Sequence, residues 1–214
     1  MSKEILADRL AEYFCGLRFE DLGKAHVDNV KGYILDWLGS AYAGRDLPPV
    51  RMIRNVARGL GGNPESTSIP DGAKTSCALA ALVNGATSHV VEMDDLHRES
   101  ILHPACAILP AVLALGERQH ASGKELILAA SAGYEVGIRV ALAVGTSHYY
   151  SWHTTATCGT YGAAAGAAKL LGLNRDQFAW ALGSAGTQAA GLWEFLVECA
   201  MSKQLHPGKA AMNG

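Results

Sequence analysis

The sequence of 214 residues is long enough for one large domain or two small ones. Hydrophobic residues make up 49% of it and charged residues only 18%, a balance that supplies a sizeable core and excludes a disordered segment. The net charge of −2 comes without any basic block, which excludes the usual surface for binding nucleic acids.

The first predicted elements are three helices. "MSKEILADRLAEYF" is amphipathic and carries charges throughout, so it is not a signal peptide. A longer helical pattern runs from Leu22 to Ala43 and ends at Gly44. "VRMIRNVARGLGG" predicts a third, shorter helix that two glycines end.

The middle and end of the chain predict further helices, after one short extended segment, "STSIP" at 66–70. They lie in "SCALAALVNGATSHV", "PACAILPAVLALGERQ", "GKELILAASAGYEVGIRVALAV", "CGTYGAAAGAAKLLG" and "RDQFAWALGSAGTQAAG". Pro104 is expected to open one helix, and Ser122 with Glu125 to form the capping box of the next. Gly172 is expected to end a helix and Asn174 to cap the one that follows.

These patterns predict an all-α fold of at least seven helices, which alanine and glycine allow to cross closely. No alternation of strands and helices suggests a doubly wound sheet. None of the apolar runs is long and uninterrupted enough to predict a membrane span. The five cysteines are scattered without a CxxC pair, which argues against a disulfide framework or a zinc site and favours a cytoplasmic location.

Ionisable residues gather in one stretch, "VVEMDDLHRESILHP". Two adjacent carboxylates in a buried place cannot both ionise cheaply, so one of Asp94 and Asp95 is expected to have a raised pKa, which suits an acid or base near neutrality. The structural alternative is that the pair caps a helix or pairs with Arg98.

Two later segments, "SWHTTATCGTYG" and "MSKQLHPGKAA", also place ionisable groups at helix boundaries. His153 alone would be a structural histidine, and Lys203 alone a solvated charge. Lys203 follows an apolar run, however, and a partly desolvated lysine can hold a carboxylate. His206 is expected to cap the last helix. No GxGxxG, Walker loop, HxH or HExxH pattern predicts a nucleotide, a metal or another cofactor.

Taken together, these segments resemble the MmgE/PrpD family of 2-methylcitrate dehydratases, cis-aconitate decarboxylases and iminodisuccinate epimerases. Four motifs occur in the family's order and span nearly the whole chain: "ALVNGATSHVVEMDDLH", "HPACAILPAVLALGE", "HTTATCGTYGAAAGAAKLLGL" and "MSKQLHPGKAAMNG". The resemblance implies a large helical domain, a smaller α/β lid and an active site between them. Residues 1–214 are then expected to be the N-terminal part of the helical domain, cut short and without the lid.

The resemblance also assigns roles to residues. It implies an acid–base set formed by Glu92, Asp94, Asp95, His103 and His153. Substrate binding is expected from Lys203, which holds a carboxylate, and from His97. Members with dehydratase or decarboxylase activity usually carry Asp where Glu92 stands and Thr where Leu96 stands, so the substrate is expected to differ.

The implied chemistry is proton transfer next to a carboxylate or imine, without metal, nucleotide or flavin. We therefore expect a carbon–oxygen lyase, of dehydratase type, acting on a small di- or tricarboxylate. The alternatives are an epimerase of the same fold, or an inactive helical remnant that serves as an assembly partner. A homodimer is expected, with neither a nucleic acid nor a membrane as partner.

Overall fold

The computed structural model describes residues 5–214; Met1 to Glu4, which begin the first predicted helix, lie outside the described residues. Ten α-helices account for most of that part of the chain, and the molecule is 72% helical. They are α1 (Leu6–Gly16), α2 (Lys24–Gly44), α3 (Pro48–Leu60), α4 (Cys77–His89), α5 (Pro104–Gln119), α6 (Gly123–Tyr149), α7 (Thr154–Leu170), α8 (Arg175–Gln188), α9 (Glu194–Val197) and α10 (Leu205–Asn213). This confirms the all-α prediction.

The extended structure is small. Strands β1 (Ser66–Thr67) and β2 (Lys74–Thr75) pair antiparallel, so only the start of the predicted extended segment forms a strand. Short 3₁₀ helices at Phe19–Asp21 and Met201–Gln204 complete the described elements.

The predicted helix boundaries depend on local chemistry, and several are confirmed. Pro104 occupies the first turn of α5. Ser122 accepts a hydrogen bond from the Glu125 N–H at the start of α6, and Asn174 caps α8. Helix α7 starts earlier than predicted, at Thr154, and its first residue has no capping side chain; the hydroxyls of Thr157 and Thr160 donate to backbone carbonyls one turn earlier.

Helix α7 lies at the centre of the molecule and packs against α5, α6, α8 and α10. Its residues are mostly alanine and glycine, and nearly all are buried. At Gly162 an added Cβ would lie 2.8 Å from the Gly133 carbonyl oxygen of α6, so only glycine permits this crossing. Small side chains therefore explain the close helix packing that the composition predicts.

Helix α6 is long and apolar enough, by length and composition, to cross a bilayer, which the sequence reading did not expect. Half of its most apolar stretch is buried inside the molecule. Its backbone is also interrupted at Gly145, where φ is 68°. Packing of this kind is that of a core helix.

A second helix crossing brings α10 onto α4 and α5. A Cβ added to Gly85 would lie 2.8 Å from the Cα of Gly208 and 2.9 Å from the Cys106 carbonyl oxygen. The three helices therefore meet almost backbone to backbone. Consequently the end of α4, the start of α5 and the start of α10 lie side by side, although they are far apart in sequence.

Candidate active site

Asp94 is the centre of a buried group of ionisable side chains. Its Oδ1 lies 3.0 Å from His89 Nδ1, at the end of α4. Its Oδ2 lies 3.5 Å from His103 Nδ1, and the two imidazole rings are 4.9 Å apart. One carboxylate thus holds two histidines that come from different helix ends.

These contacts change the pKa of Asp94 and of His103. Burial opposes ionisation of Asp94, but the hydrogen bonds from His103 and His89 outweigh it and hold its pKa well below the ordinary value. Burial also lowers the pKa of His103, yet the hydrogen bond and the charge of Asp94 outweigh burial and leave that pKa raised. His103 therefore holds a proton more readily than a free histidine.

The neighbouring Asp95 behaves in the opposite way. Burial raises its pKa to about 6, although Asp95 accepts hydrogen bonds from the Ala105 N–H at 2.9 Å and from the Tyr134 hydroxyl at 2.8 Å. The charge of Asp94 raises it further. One carboxyl pKa rises, as expected for an adjacent buried pair. Asp95 also caps α5, so the structural alternative holds in part for this residue.

His153 immediately precedes α7 and faces the same group. Its ring lies 5.9 Å from that of His89, and its Nδ1 lies 3.1 Å from His206 Nδ1. Burial, together with the nearby charges of His89, His206 and Lys203, lowers the pKa of His153 to about 2. His153 is therefore neutral near pH 7, and its pKa is shifted in the direction opposite to that of His103.

Lys203 and Glu92 form an ion pair at the edge of the group. Lys203 Nζ also lies 5.7 Å from the centre of the Phe195 ring, which is 5.2 Å from the ring of His153. The lysine side chain is 21% exposed and the glutamate side chain 49%. A cation accessible to a carboxylate thus stands next to the histidines.

His97 lies apart from these side chains. Its Nδ1 is 2.9 Å from Ser100 Oγ, and its Nε2 is 3.2 Å from the exposed carboxylate of Glu99. Its backbone forms a bridge with Leu102 that closes the loop before α5. The contacts of His97 are thus those of a loop-closing residue, and its predicted role in substrate binding stays a prediction.

The sequence reading missed two histidines of the group, His89 and His206. His206 was expected to cap the last helix, but it lies inside α10, makes no capping hydrogen bond and faces His153; that expectation was wrong. His89 stands at the end of a helix made of small residues, where a single histidine looks like a core residue. Its spacing of five residues from Asp94 was the available signal.

Backbone strain also concentrates near this group. Four described non-glycine residues have φ between 48° and 54°: Glu92, Ile101, His120 and Cys199. Glu92 and Ile101 lie in the loop that carries the carboxylates and His103, and Cys199 lies shortly before Lys203. Left-handed backbone at non-glycine residues is costly and occurs preferentially at functional sites.

His89, Asp94 and Cys106 could in principle hold a metal ion, because their ligand atoms lie within 4.8 Å of one another. Burial raises the pKa of the Cys106 thiol well above its ordinary value, and the thiol donates to the His103 carbonyl at 3.3 Å. Zinc requires the thiolate form of cysteine. In this structure the Cys106 thiol takes part in the hydrogen bonds around His103, and burial opposes its ionisation.

A sequence profile of the MmgE/PrpD N-terminal domain matches residues 8–214. The chain belongs to the MmgE/PrpD family. The resemblance noted in the sequence is thereby confirmed over nearly its whole length, including the loop with Asp94 and the segment with Lys203.

Two of the relatives compared are cis-aconitate decarboxylases, and a third is a cis-aconitate decarboxylase-like protein. The chain is 34% identical to the cis-aconitate decarboxylase of Aspergillus terreus and 29% identical to that of Homo sapiens. In both cases the match covers 100% of this chain and 45% of the relative. A cis-aconitate decarboxylase-like protein of Aspergillus oryzae is 38% identical over 63% of this chain and 30% of its own length. The chain thus spans less than half the length of these MmgE/PrpD relatives.

Proposed function

We propose that this MmgE/PrpD protein is a lyase that acts on a small di- or tricarboxylate by acid–base proton transfer. Within one group of side chains, the pKa of His103 is raised and the pKa of His153 is lowered, and this difference is the observation that carries the proposal. Groups whose surroundings push their pKa values apart are suited to act as acid and base. An accessible lysine beside them supports a carboxylate substrate.

The roles follow from protonation and contacts. His103, whose pKa Asp94 raises, is the acid; neutral His153 is the base. Lys203 holds a substrate carboxylate and stabilises the enolate-like charge that develops next to it. Asp94 favours the charged form of His103 and fixes the position of its ring. Asp95 fixes the first turn of α5 by accepting a hydrogen bond from the Ala105 N–H. Glu92 is the predicted acid–base residue whose partner is the lysine rather than a histidine.

Two bond cleavages are compatible with these roles. In dehydration, which the sequence favours, a base takes the proton next to the carboxylate and an acid protonates the departing hydroxyl. In decarboxylation, the bond to carbon dioxide breaks and an acid protonates the carbon that keeps the electron pair. The activity of the decarboxylase relatives favours decarboxylation of cis-aconitate as the first reaction to test. Glu92 and Leu96, which depart from the usual residues, favour a different carboxylate.

Epimerisation is the second candidate. It would require His103 and His153, whose rings lie 4.9 Å and 5.9 Å from the ring of His89, to act on opposite faces of one substrate carbon. Removal of a proton by one group and its return by the other would invert that carbon. No bond other than the carbon–hydrogen bond would break.

An NMR assay in D2O separates these reactions. The full protein is incubated with cis-aconitate, 2-methylcitrate and iminodisuccinate. Loss of carbon dioxide, loss of water, or deuterium exchange without elimination identifies a decarboxylase, a dehydratase or an epimerase, respectively. His103→Gln and His153→Gln should each lower turnover by roughly a hundredfold or more. If no polycarboxylate exchanges a proton or reacts, the proposed function is wrong and the assembly-partner alternative gains support.

We also infer a homodimer, as the resemblance implies, and a cytoplasmic location, as the cysteine pattern suggests. The five cysteines are all free, which suits a reducing compartment. Sedimentation of the purified protein tests the dimer, and fractionation of cells tests the location.

A further inference from the structure

The contact between His153 and His206 restricts the protons that the two rings can carry. Their Nδ1 atoms lie 3.1 Å apart, and the ring centres are 5.3 Å apart. Two bare nitrogens at this distance repel each other through their lone pairs, and two N–H groups clash. A favourable contact therefore needs one Nδ1–H that donates and one bare Nδ1 that accepts.

Both rings are neutral near pH 7, so a single proton lies between them. Burial lowers the pKa of His206 to about 4, and the positive charges of Lys209 and Lys203 contribute. The same physical cause, burial, lowers the pKa of His153 further. Neither ring is therefore a cation near pH 7, and the case in which both rings carry an Nδ1–H is disfavoured.

The difference in burial decides which ring donates. His153 is only 4% exposed, whereas His206 is half-buried. In the ring that accepts, the single proton lies on Nε2, and the half-buried His206 can bond an Nε2–H to water more readily than the 4% exposed His153 can. His153 Nδ1–H therefore donates to His206 Nδ1.

We propose that His206 is a positioning residue that holds His153 in the Nδ1–H tautomer and leaves His153 Nε2 unprotonated. This inference rests on the proposed function for its chemical meaning, because a bare Nε2 is the atom that a base needs. A histidine without such a contact favours the Nε2–H tautomer in water, in which that nitrogen cannot take a proton.

The fold holds His206 in place for this task. The edge-to-face contact of its ring with Phe195, with centres 5.3 Å apart, fixes one side. Gly191 accepts a hydrogen bond from the His153 N–H at 2.9 Å, and a Cβ at Gly191 would lie 3.3 Å from His206 Nδ1. The Gly85–Gly208 crossing fixes the helix that carries His206.

The tautomer can be measured without any substrate. The full protein is labelled with ¹⁵N-histidine, and the Nδ1 and Nε2 shifts of His153 are assigned from a His153→Gln variant. In the unsubstituted protein we expect the Nδ1 shift of a protonated nitrogen and the Nε2 shift of a bare one. A His153 Nε2–H tautomer in this protein would overturn the inference.

Substitutions of His206 provide matched controls. His206→Phe keeps a ring against Phe195 but removes the acceptor, so the His153 signals should move toward the Nε2–H tautomer. His206→Asn places an oxygen near the position of Nδ1 and should retain the Nδ1–H tautomer, whereas His206→Gln, whose amide corresponds to Nε2, should not. Unchanged His153 shifts in both His206→Phe and His206→Gln would contradict the inference, since loss of packing alone does not select a tautomer.

Activity then distinguishes this inference from the proposed function. In an active enzyme His206→Phe should lower kcat by roughly ten- to a hundredfold with little change in KM, and His206→Asn should recover part of it. If His206→Phe shifts the tautomer of His153 but the unsubstituted protein reacts with no polycarboxylate, the role of His206 is supported and the proposed function is wrong. If the protein is active but His153 does not have the Nδ1–H tautomer, the proposed function is supported and the role of His206 is wrong.

Discussion

At the scale of single residues, Asp95 is the clearest test of the site's electrostatics. Its folded-state pKa of about 6 lies above the ordinary value of 3.8, so the folded protein binds this proton more tightly than the unfolded chain. The associated stabilisation is fully present below pH 3.8 and is lost as the pH rises through about 6. Relative to Asp95→Asn, the free energy of unfolding of the unsubstituted protein should therefore fall by about 2 kcal/mol between these pH values.

Urea unfolding at a series of pH values measures this difference. Asp94→Asn supplies the contrast. Because the pKa of Asp94 is lowered, this residue stabilises the fold at pH values above its ordinary pKa, and that stabilisation is lost as the pH falls. The two variants should therefore give opposite slopes relative to the unsubstituted protein. Parallel curves for the protein and Asp95→Asn would show that Asp95 ionises like a free carboxyl.

The ion pair of Glu92 with Lys203 leads to a second prediction. A substrate carboxylate that binds Lys203 must displace Glu92, because both are anions that seek the same ammonium group. Glu92→Gln should therefore strengthen binding of cis-aconitate by roughly two- to fivefold, a modest gain because the pair is partly exposed. Titration calorimetry measures it.

The control for this prediction is a Lys203→Gln variant, in which the further change Glu92→Gln should bring no gain. If Glu92→Gln instead weakens binding in the protein that keeps Lys203, Glu92 contacts the substrate directly and does not compete with it.

How much of the site the sequence could predict depends on the range of the interaction. The raised pKa of Asp95 could be expected from two adjacent carboxyls in an apolar stretch, a property visible in the sequence, whereas the lowered pKa of Asp94 depends on its histidine partners. The histidine contacts were harder to predict: His89 reaches Asp94 across a helix end, and His206 reaches His153 across 53 positions. The spacing of His89 from Asp94 was a local signal, whereas nothing local marks His206 as a partner of His153.

At the scale of elements, the crossing of α10 on α4 determines whether His206 can reach His153. A Cβ at Gly208 would lie 2.3 Å from the Leu82 carbonyl oxygen, so Gly208→Ala must move one helix away. We expect a loss of about 1–3 kcal/mol in the free energy of unfolding, as for other overpacked cores. Thermal or urea unfolding measures the loss.

Gly39→Ala is the matched control for this prediction. Gly39 lies exposed inside α2, and an added Cβ there would meet nothing within 4 Å. Alanine favours a helix over glycine by about 0.5–1 kcal/mol, so this change should be neutral or stabilising. Equal losses in both variants would mean that helix propensity, rather than the crossing, governs the effect.

Helix boundaries were predictable where the determinant is local, as at Pro104, Ser122 and Asn174. The beginning of α7 was not, because four residues of its first turn include three threonines, which are poor helix formers in isolation. Tertiary packing against α5 and α6 overrides that preference. Composition could indicate close helix packing, but not which glycines would meet.

At the scale of the whole molecule, the candidate site combines residues from the end of α4 and from the starts of α5, α7 and α10. Exposed apolar side chains surround it in sequence and include Met93, Leu96, Trp152, Leu192, Leu196, Val197 and Met201. Large exposed apolar patches mark interaction surfaces or aggregation sites. The geometry of such a site depends on the packing of several helices and on a partner that covers these exposed side chains.

We therefore predict that the protein associates, as the expected homodimer requires. Leu196→Ser together with Val197→Ser should weaken association, because both side chains are more than half exposed and lie between His153 and Lys203 in sequence. Trp180→Ser on α8 is the control, since Trp180 is 69% exposed but lies outside these loops. Analytical ultracentrifugation over a range of concentrations measures the effect. A compact monomer at every concentration of the unsubstituted protein would contradict the prediction. The exposed apolar side chains would then remain in contact with water.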